Sequence, residues 1–257
     1  LLPPQALHVR AMAMAVIVTS LQMGGDLEQG VRIMREALAD PGWPAGLRTK
    51  LLHFLSEAYM MDGDLSGVLE AGSECLRIAE GLRLLESVSY GRYNMGTGHY
   101  LRNELDLAEP YLLALLEERA SSASVYVAFG VFALALIYQA QGRGSEATQV
   151  VETISAYLEE TEHRVALAIA EAFRVELAIR QGKLAEARRL SRGLHFDIRP
   201  PRWYFYVPQL TQCKLLLAEG TPESLAGACI RLAALDASMR TLNRNHVRID
   251  VLALQAL

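Results

Sequence analysis

"QGKLAEA", residues 181–187, is a polar turn followed at once by the start of an apolar helical face. Gly182 suits the left-handed residue that ends a helix, and Leu184, two positions on, opens the next apolar stripe. The same arrangement recurs as GGDLEQG (24–30), DGDLSGV (62–68), RNELDLA (102–108), QGRGSEA (141–147) and EGTPESL (219–225). With Gly25, Gly63, Asn103, Gly142, Gly182 and Gly220 as anchors, the spacings are 38, 40, 39, 40 and 38 residues. A fixed period in this range marks an array of helical repeats.

Side-chain size keeps the same register. Seven residues before the anchors stand Val18, Ser56, Gly96, Ala135, Val175 and Cys213; five after them stand Gly30, Val68, Ala108, Ala147, Ala187 and Leu225. Mostly small residues at both points let two helices approach closely. Leu21, Tyr59, His99, Tyr138, Ala178 and Leu216, four before the anchors, are mostly large and fill the space beside that contact. Each unit therefore reads as helix A, a tight turn and a helix B of about 12–15 residues. Proline-bearing links such as PGWPAG (41–46) and DIRPP (197–201) separate units. No strand period appears. The expected fold is all-α: a right-handed superhelical solenoid of about six helix hairpins turning near residues 25, 63, 103, 142, 182 and 220, plus a partial seventh unit over 245–257. The final helix would leave Val251, Leu252 and Leu254 without a partner helix B, so the open end is either a cut edge of a longer protein or a homo-oligomer contact.

Composition narrows the function classes. Apolar residues make up 51% and charged residues 21%, which is globular rather than disordered. A net charge of −4 gives no global argument for nucleic acid. Cys75, Cys213 and Cys229 are odd in number and widely spaced, which fits a reducing cytoplasm rather than a disulfide framework. The uncharged run Ala120–Gly142 is long enough for a membrane span, but its strongly apolar part, Val125–Tyr138, is too short, so an interior helix is expected. No phosphate-cradling glycine loop, serine elbow or cysteine–histidine motif is present, and no enzyme is expected.

The spacing Gly-x-Leu-x-x-Ala, with a large residue four before the glycine, resembles the tetratricopeptide repeat (TPR). A narrower resemblance lies in LLPPQAL (1–7), YLRNELDLAEPYLLALLEE (100–118), ALIYQAQGRGSEA (135–147), RQGKLAEARRL (180–190), RWYFYVPQLTQCKLLLAEGTPESLAGA (202–228) and HVRIDVLALQAL (246–257). In that order they look like the helical-repeat region of MalT-like regulators, the large ATP-binding LuxR-type transcriptional activators. The resemblance implies a sensor that binds an inducer or partner protein and controls ATP-driven self-association. It implies an NTPase domain before this region, where ATP would bind, and a helix-turn-helix domain after it. This chain would then be the middle of a longer protein, with no cofactor of its own and no direct contact to nucleic acid.

Helix A of each unit is expected to line a concave groove through positions 13, 10, 6 and 3 before the anchor. The candidate ligand-binding residues are Tyr90, Tyr93, Thr97 and Tyr100, then Phe129, Phe132 and Gln139, then Glu176 with Arg180, then Lys214. Aromatic surface for dispersion with a few polar groups for orientation is what a small-molecule or peptide site needs. Ordinary packing between repeats is the competing reading for each aromatic. In PPRWYFY (200–206), Trp203 continues the groove stripe, Phe205 packs on the fifth unit, and Tyr204 and Tyr206 keep wet hydroxyls; a hydrophobic plug is the alternative. His53 and Glu57 are four apart but have no third ligand nearby, so no metal site is expected.

Overall fold

The computed structural model describes residues 6–122, 124–197, 205–242 and 244–257. Thirteen α-helices occur among them: α1 (Leu7–Met23), α2 (Leu27–Ala39), α3 (Ala45–Asp62), α4 (Leu65–Leu82), α5 (Leu85–Leu101), α6 (Leu105–Glu117), α7 (Ser124–Ala140), α8 (Gly144–Glu160), α9 (Arg164–Arg180), α10 (Leu184–Ser191), α11 (Pro208–Glu219), α12 (Pro222–Thr241) and α13 (Asn245–Gln255). Successive helices pack as hairpins, and no strand is present among the described residues.

The anchors act through the backbone. Gly25, Gly63, Asn103, Gly142, Gly182 and Gly220 all have positive φ, between 60 and 87°. An L-residue with a bulky side chain is strained there, which is why glycine or asparagine recurs. Asp26 and Asp64 then cap the following helices by accepting from the Gln29 and Gly67 amides.

The small positions meet within each hairpin. Val18, Ser56, Gly96, Ala135, Val175 and Cys213 are all buried, as are Gly30, Val68, Ala108, Ala147 and Ala187. Leu225 departs from this pattern and is exposed. The cause lies one turn earlier. The residues preceding α2, α4, α6, α8 and α10 have ψ between 51 and 78°, whereas Thr221 is extended at 153° and forms a capping box with Ser224. The different entry angle turns Ser224 and Ala228 inward and Leu225 outward.

Helix B is less uniform than expected. It spans 18 residues in α4 and only 8 in α10. The apolar run within 120–142 is the interior helix α7: Phe129, Phe132, Leu134 and Ile137 are fully buried. No helix among the described residues is long and apolar enough to cross a membrane.

The last helix packs on the hairpin before it. Val247 and Val251 of α13 pack with Leu210, Cys213 and Leu232, while Leu252 stays exposed. α13 also reaches the other end of the chain. Arg244, buried just before it, donates to the Gln22 carbonyl at 2.6 Å and contacts the Met61 sulfur. His246 Nδ1–H donates to the Met61 carbonyl at 3.0 Å. The end of α12 lies so close to Gly25 that a Cβ there would be 3.1 Å from the Thr241 and Leu242 backbone. A simple solenoid has contacts only between neighbouring repeats. Here the first and last hairpins also meet.

Candidate functional site

Glu176, on α9, is the centre of the charged cluster on the inner side. Its side chain is 2% exposed, yet it is charged and fully engaged. Oε1 accepts from Arg180 Nε and Lys214 Nζ, both at 2.7 Å, and Oε2 accepts from Thr211 Oγ1 at 2.9 Å. Burial pushes the Glu176 carboxyl up, but Lys214 and Arg180 outweigh it and hold the group below the ordinary value of 4.5. The helical spacing of Glu176 and Arg180 puts them on one face of α9, and Lys214 arrives from α11.

Thr211 passes the network on: its hydroxyl is 2.7 Å from the Tyr206 hydroxyl. Tyr206 is buried edge-on to Phe132 and Phe173, at 5.6 and 5.1 Å between ring centres. Phe205 meets Tyr100 of α5 edge-on at 5.4 Å. Phe205 and Tyr206, just before α11, therefore point inward and fill part of the inner face. These two side chains act as a plug that narrows the groove expected from the repeat to a small pocket with an open mouth. Tyr206 does not keep a wet hydroxyl, because Thr211 supplies its partner. Phe205 meets the third hairpin rather than only the fifth. Trp203 and Tyr204 lie outside the described residues.

What remains is a cavity of about 220 Å³. Tyr100, Phe173 and Phe205 give it aromatic walls, and Leu136, Val207, Leu210 and Val247 add aliphatic surface. Glu176, Arg180, Lys214 and Asp250 bring charge. Burial pushes the Asp250 carboxyl up, against the pull of Lys214 and Arg180. The structure thus brings together Tyr100, Glu176, Arg180 and Lys214 from the sequence-derived set.

The other candidates go elsewhere. Phe129 and Phe132 are in the core, the latter stacked on Phe173 at 4.2 Å, and a ligand in the cavity does not reach them past Tyr206 and Phe173. Thr97 is fully buried, with its hydroxyl turned back to the Tyr93 carbonyl. Gln139 sits at the α7–α8 turn beside Gly144 and Gln181. Phe129 and Phe132 pack between repeats, on the same helix face that the groove positions occupy, Thr97 is buried too, and Gln139 lies away from the cavity.

Tyr90 and Tyr93 belong to a second buried cluster. The His53 ring stacks on Tyr90 at 4.2 Å and meets Tyr126 edge-on at 4.7 Å, and Tyr93 lies 5.2 Å from Tyr126. Asn94 Nδ2 is 3.3 Å from His53 Nδ1, and Tyr126 donates to Glu57 at 3.1 Å. Among the described residues no group of three or more His, Cys, Asp or Glu could hold a metal. Burial pulls the His53 pKa down from 6.5 to about 3, so the folded protein holds the ring neutral. A depressed histidine stabilises fully above the unfolded pKa and progressively less as pH falls towards the folded one. Stability is therefore expected to fall by about 2–3 kcal/mol between pH 7 and pH 4.5 on this account, the Asn94 hydrogen bond to the ring offsetting only part of the burial. Urea titrations at both pH values, on the parent and His53→Gln, check this. An identical acid-side loss in the variant would remove His53 as its cause.

Thr211, Tyr206, Asp250, His246 and Asn94 escaped the groove assignment. Asp250 and His246 had no usable signal, since their part in the cavity depends on the ends meeting. Thr211 sits one residue after groove position Leu210, within reach of a wider stripe.

A family model described as the MalT-like TPR region matches residues 1–257. No curated protein matches the chain. Among solved structures it is similar to two crystal structures of a Podosopora anserina putative kinesin light chain with nearly identical TPR-like repeats, one of them a variant. Both are 18% identical; the variant covers 72% of this chain and 92% of that one with a TM-score of 0.58, the other 71% and 92% with 0.56. That likeness concerns the fold. With the repeat geometry and a family match over its whole length, this chain belongs to the MalT-like TPR region family.

Proposed function

We propose that this domain is a ligand sensor whose occupied cavity sets the closure between its two ends. One observation carries the reading: α13 does two jobs at once. His246, Val247 and Asp250 line the cavity, while His246 and Arg244 hold the α1 and α3 ends. A ligand that touches α13 in the closed form and loses that contact in an open form shifts the population by its differential affinity. Moving from 1:99 to 99:1 takes about 5.5 kcal/mol. In a MalT-like protein such a shift would govern self-association of a neighbouring ATP-binding domain and, through it, DNA binding by a helix-turn-helix domain. This domain itself would carry out no catalysis.

Thermal-shift screening of a metabolite library tests the reading. A ligand at about 100 times its Kd adds about 2.7 kcal/mol to the folded state, so a hit raises Tm. The shift should vanish in Phe205→Ala, which removes an aromatic wall. Hits that survive this substitution, or a library with none, would overturn the cavity as a sensor. A protein or peptide partner on the outer surface is the remaining use of such a fold, and a pull-down that succeeds while the library fails would select it.

A further inference from the structure

The cavity presents charges that its own residues leave partly unused. Arg180 engages Glu176 through Nε alone, and its terminal nitrogens have no hydrogen-bond partner among the described residues. Its side chain is 44% exposed, so those nitrogens are reachable. Lys214 spends one N–H on Glu176 and keeps two. Asp250, exposed at the mouth of the same cavity, has no hydrogen bond or ion pair among the described residues and feels both cations. Cationic donors and an unpaired carboxylate thus share one small space without touching. Apolar and aromatic side chains complete the walls.

A ligand that joins these groups needs an anionic end and a cationic end, with apolar bulk between them and the wall. We propose that the cavity binds a free α-amino acid with a medium-sized aliphatic side chain. This rests on the sensor reading above and names its ligand class. The carboxylate bonds to the terminal nitrogens of Arg180 and to Lys214, as charge-assisted pairs. The ammonium bonds to Asp250. The side chain packs against Tyr100, Leu136, Phe205 and Leu210. A volume of about 220 Å³ lies below the roughly 300–1,000 Å³ of pockets for drug-sized ligands, which suits one amino acid and excludes a chain of several sugar rings or residues. Binding also pairs Asp250 across the cavity and so draws α13 onto α9 and α11.

Titration calorimetry of the 257-residue protein with three probes tests the assignment: L-leucine, 4-methylpentanoate, which lacks the ammonium, and 3-methylbutylamine, which lacks the carboxylate. Leucine should bind at least about tenfold more tightly than either, the value of one charge-assisted hydrogen bond. In Asp250→Asn the advantage over 4-methylpentanoate should collapse, while 4-methylpentanoate itself keeps its affinity. Asp250 has no partner to lose, so this variant folds as the parent does. Arg180→Gln should reverse the pattern and abolish the advantage over the amine. Leucine no better than 4-methylpentanoate in the parent would overturn the proposal, as would an advantage untouched by Asp250→Asn. No heat from leucine, valine, isoleucine or methionine, with library hits that Phe205→Ala abolishes, overturns the ligand class and leaves the sensor standing. No heat and no hits overturn both.

Discussion

Gly91→Ala is expected to destabilise the protein by about 3 kcal/mol, the upper part of the range for overpacking a well-filled contact. A Cβ at Gly91 would lie 2.7 Å from Leu76 Cβ, 2.8 Å from Leu76 Cα and 3.0 Å from its amide nitrogen. Two of those three atoms are backbone, so no rotamer change relieves the clash. α4 and α5 must separate instead. They cannot do so cheaply, because Gly72 brings them together elsewhere, where a Cβ would be 3.0 Å from Asn94 Cβ. At about 2–4 °C per kcal/mol for a chain of this size, Tm should fall by roughly 6–12 °C. Gly81→Ala is the control. Gly81 lies exposed in the last turn of α4 with nothing within 4 Å of its virtual Cβ. Its replacement should add about 0.5–1 kcal/mol through helix propensity. Calorimetry on both variants decides the matter. A Gly91→Ala protein that melts with the parent would mean that the α4–α5 crossing has slack.

These two glycines show what the sequence makes legible. The six anchors stand out because left-handed backbone selects glycine or asparagine and because the selection repeats at near-constant spacing. The period, the helix hairpins and the buried small positions follow from it. Gly91 and Gly72 are under an equally strict constraint, but it comes from one inter-hairpin contact and has no period. The cavity is intermediate. Glu176, Lys214 and Tyr100 lie on the inward stripe of helix A, and Arg180 sits beside that stripe one residue after Ile179. Phe129, Phe132 and Thr97 satisfied the same rule and are core, since the stripe does not say how far neighbouring helices or a folded-back link cover it. The contact of Phe205 with Tyr100 and that of Arg244 with Gln22 join residues 105 and 222 positions apart, and nothing local in the sequence encodes such pairings. The rotation of α12 was readable in principle, since Thr221–Pro222 differs from every other turn.

Glu176→Ala is the second large effect, and it tests the site and the fold together. Removal of this carboxylate leaves Thr211, Lys214 and Arg180 without their shared acceptor. Breaking a buried ion pair from one side costs about 3–5 kcal/mol. Lys214 and Arg180 are 26% and 44% exposed, so water recovers part of this and about 2–4 kcal/mol is expected. Glu176→Gln should cost less, because an amide oxygen still accepts from one donor. The pH dependence separates charge from packing. Glu176 has a depressed pKa in the folded state, so its stabilisation is fully present above the unfolded value near 4.5 and is lost as pH falls through the lower, folded value. The gap between parent and Glu176→Gln should therefore narrow between pH 7 and pH 3, while His53 titrates equally in both and cancels. Lys214→Met added to Glu176→Gln should recover part of the loss, since one unpaired cation is then gone. Urea titrations of the three variants at both pH values provide the test. A gap that stays constant with pH would mean that Glu176 serves as a packed hydrogen-bond acceptor rather than a counter-charge, and Arg180 would then be held on the cavity wall by geometry alone.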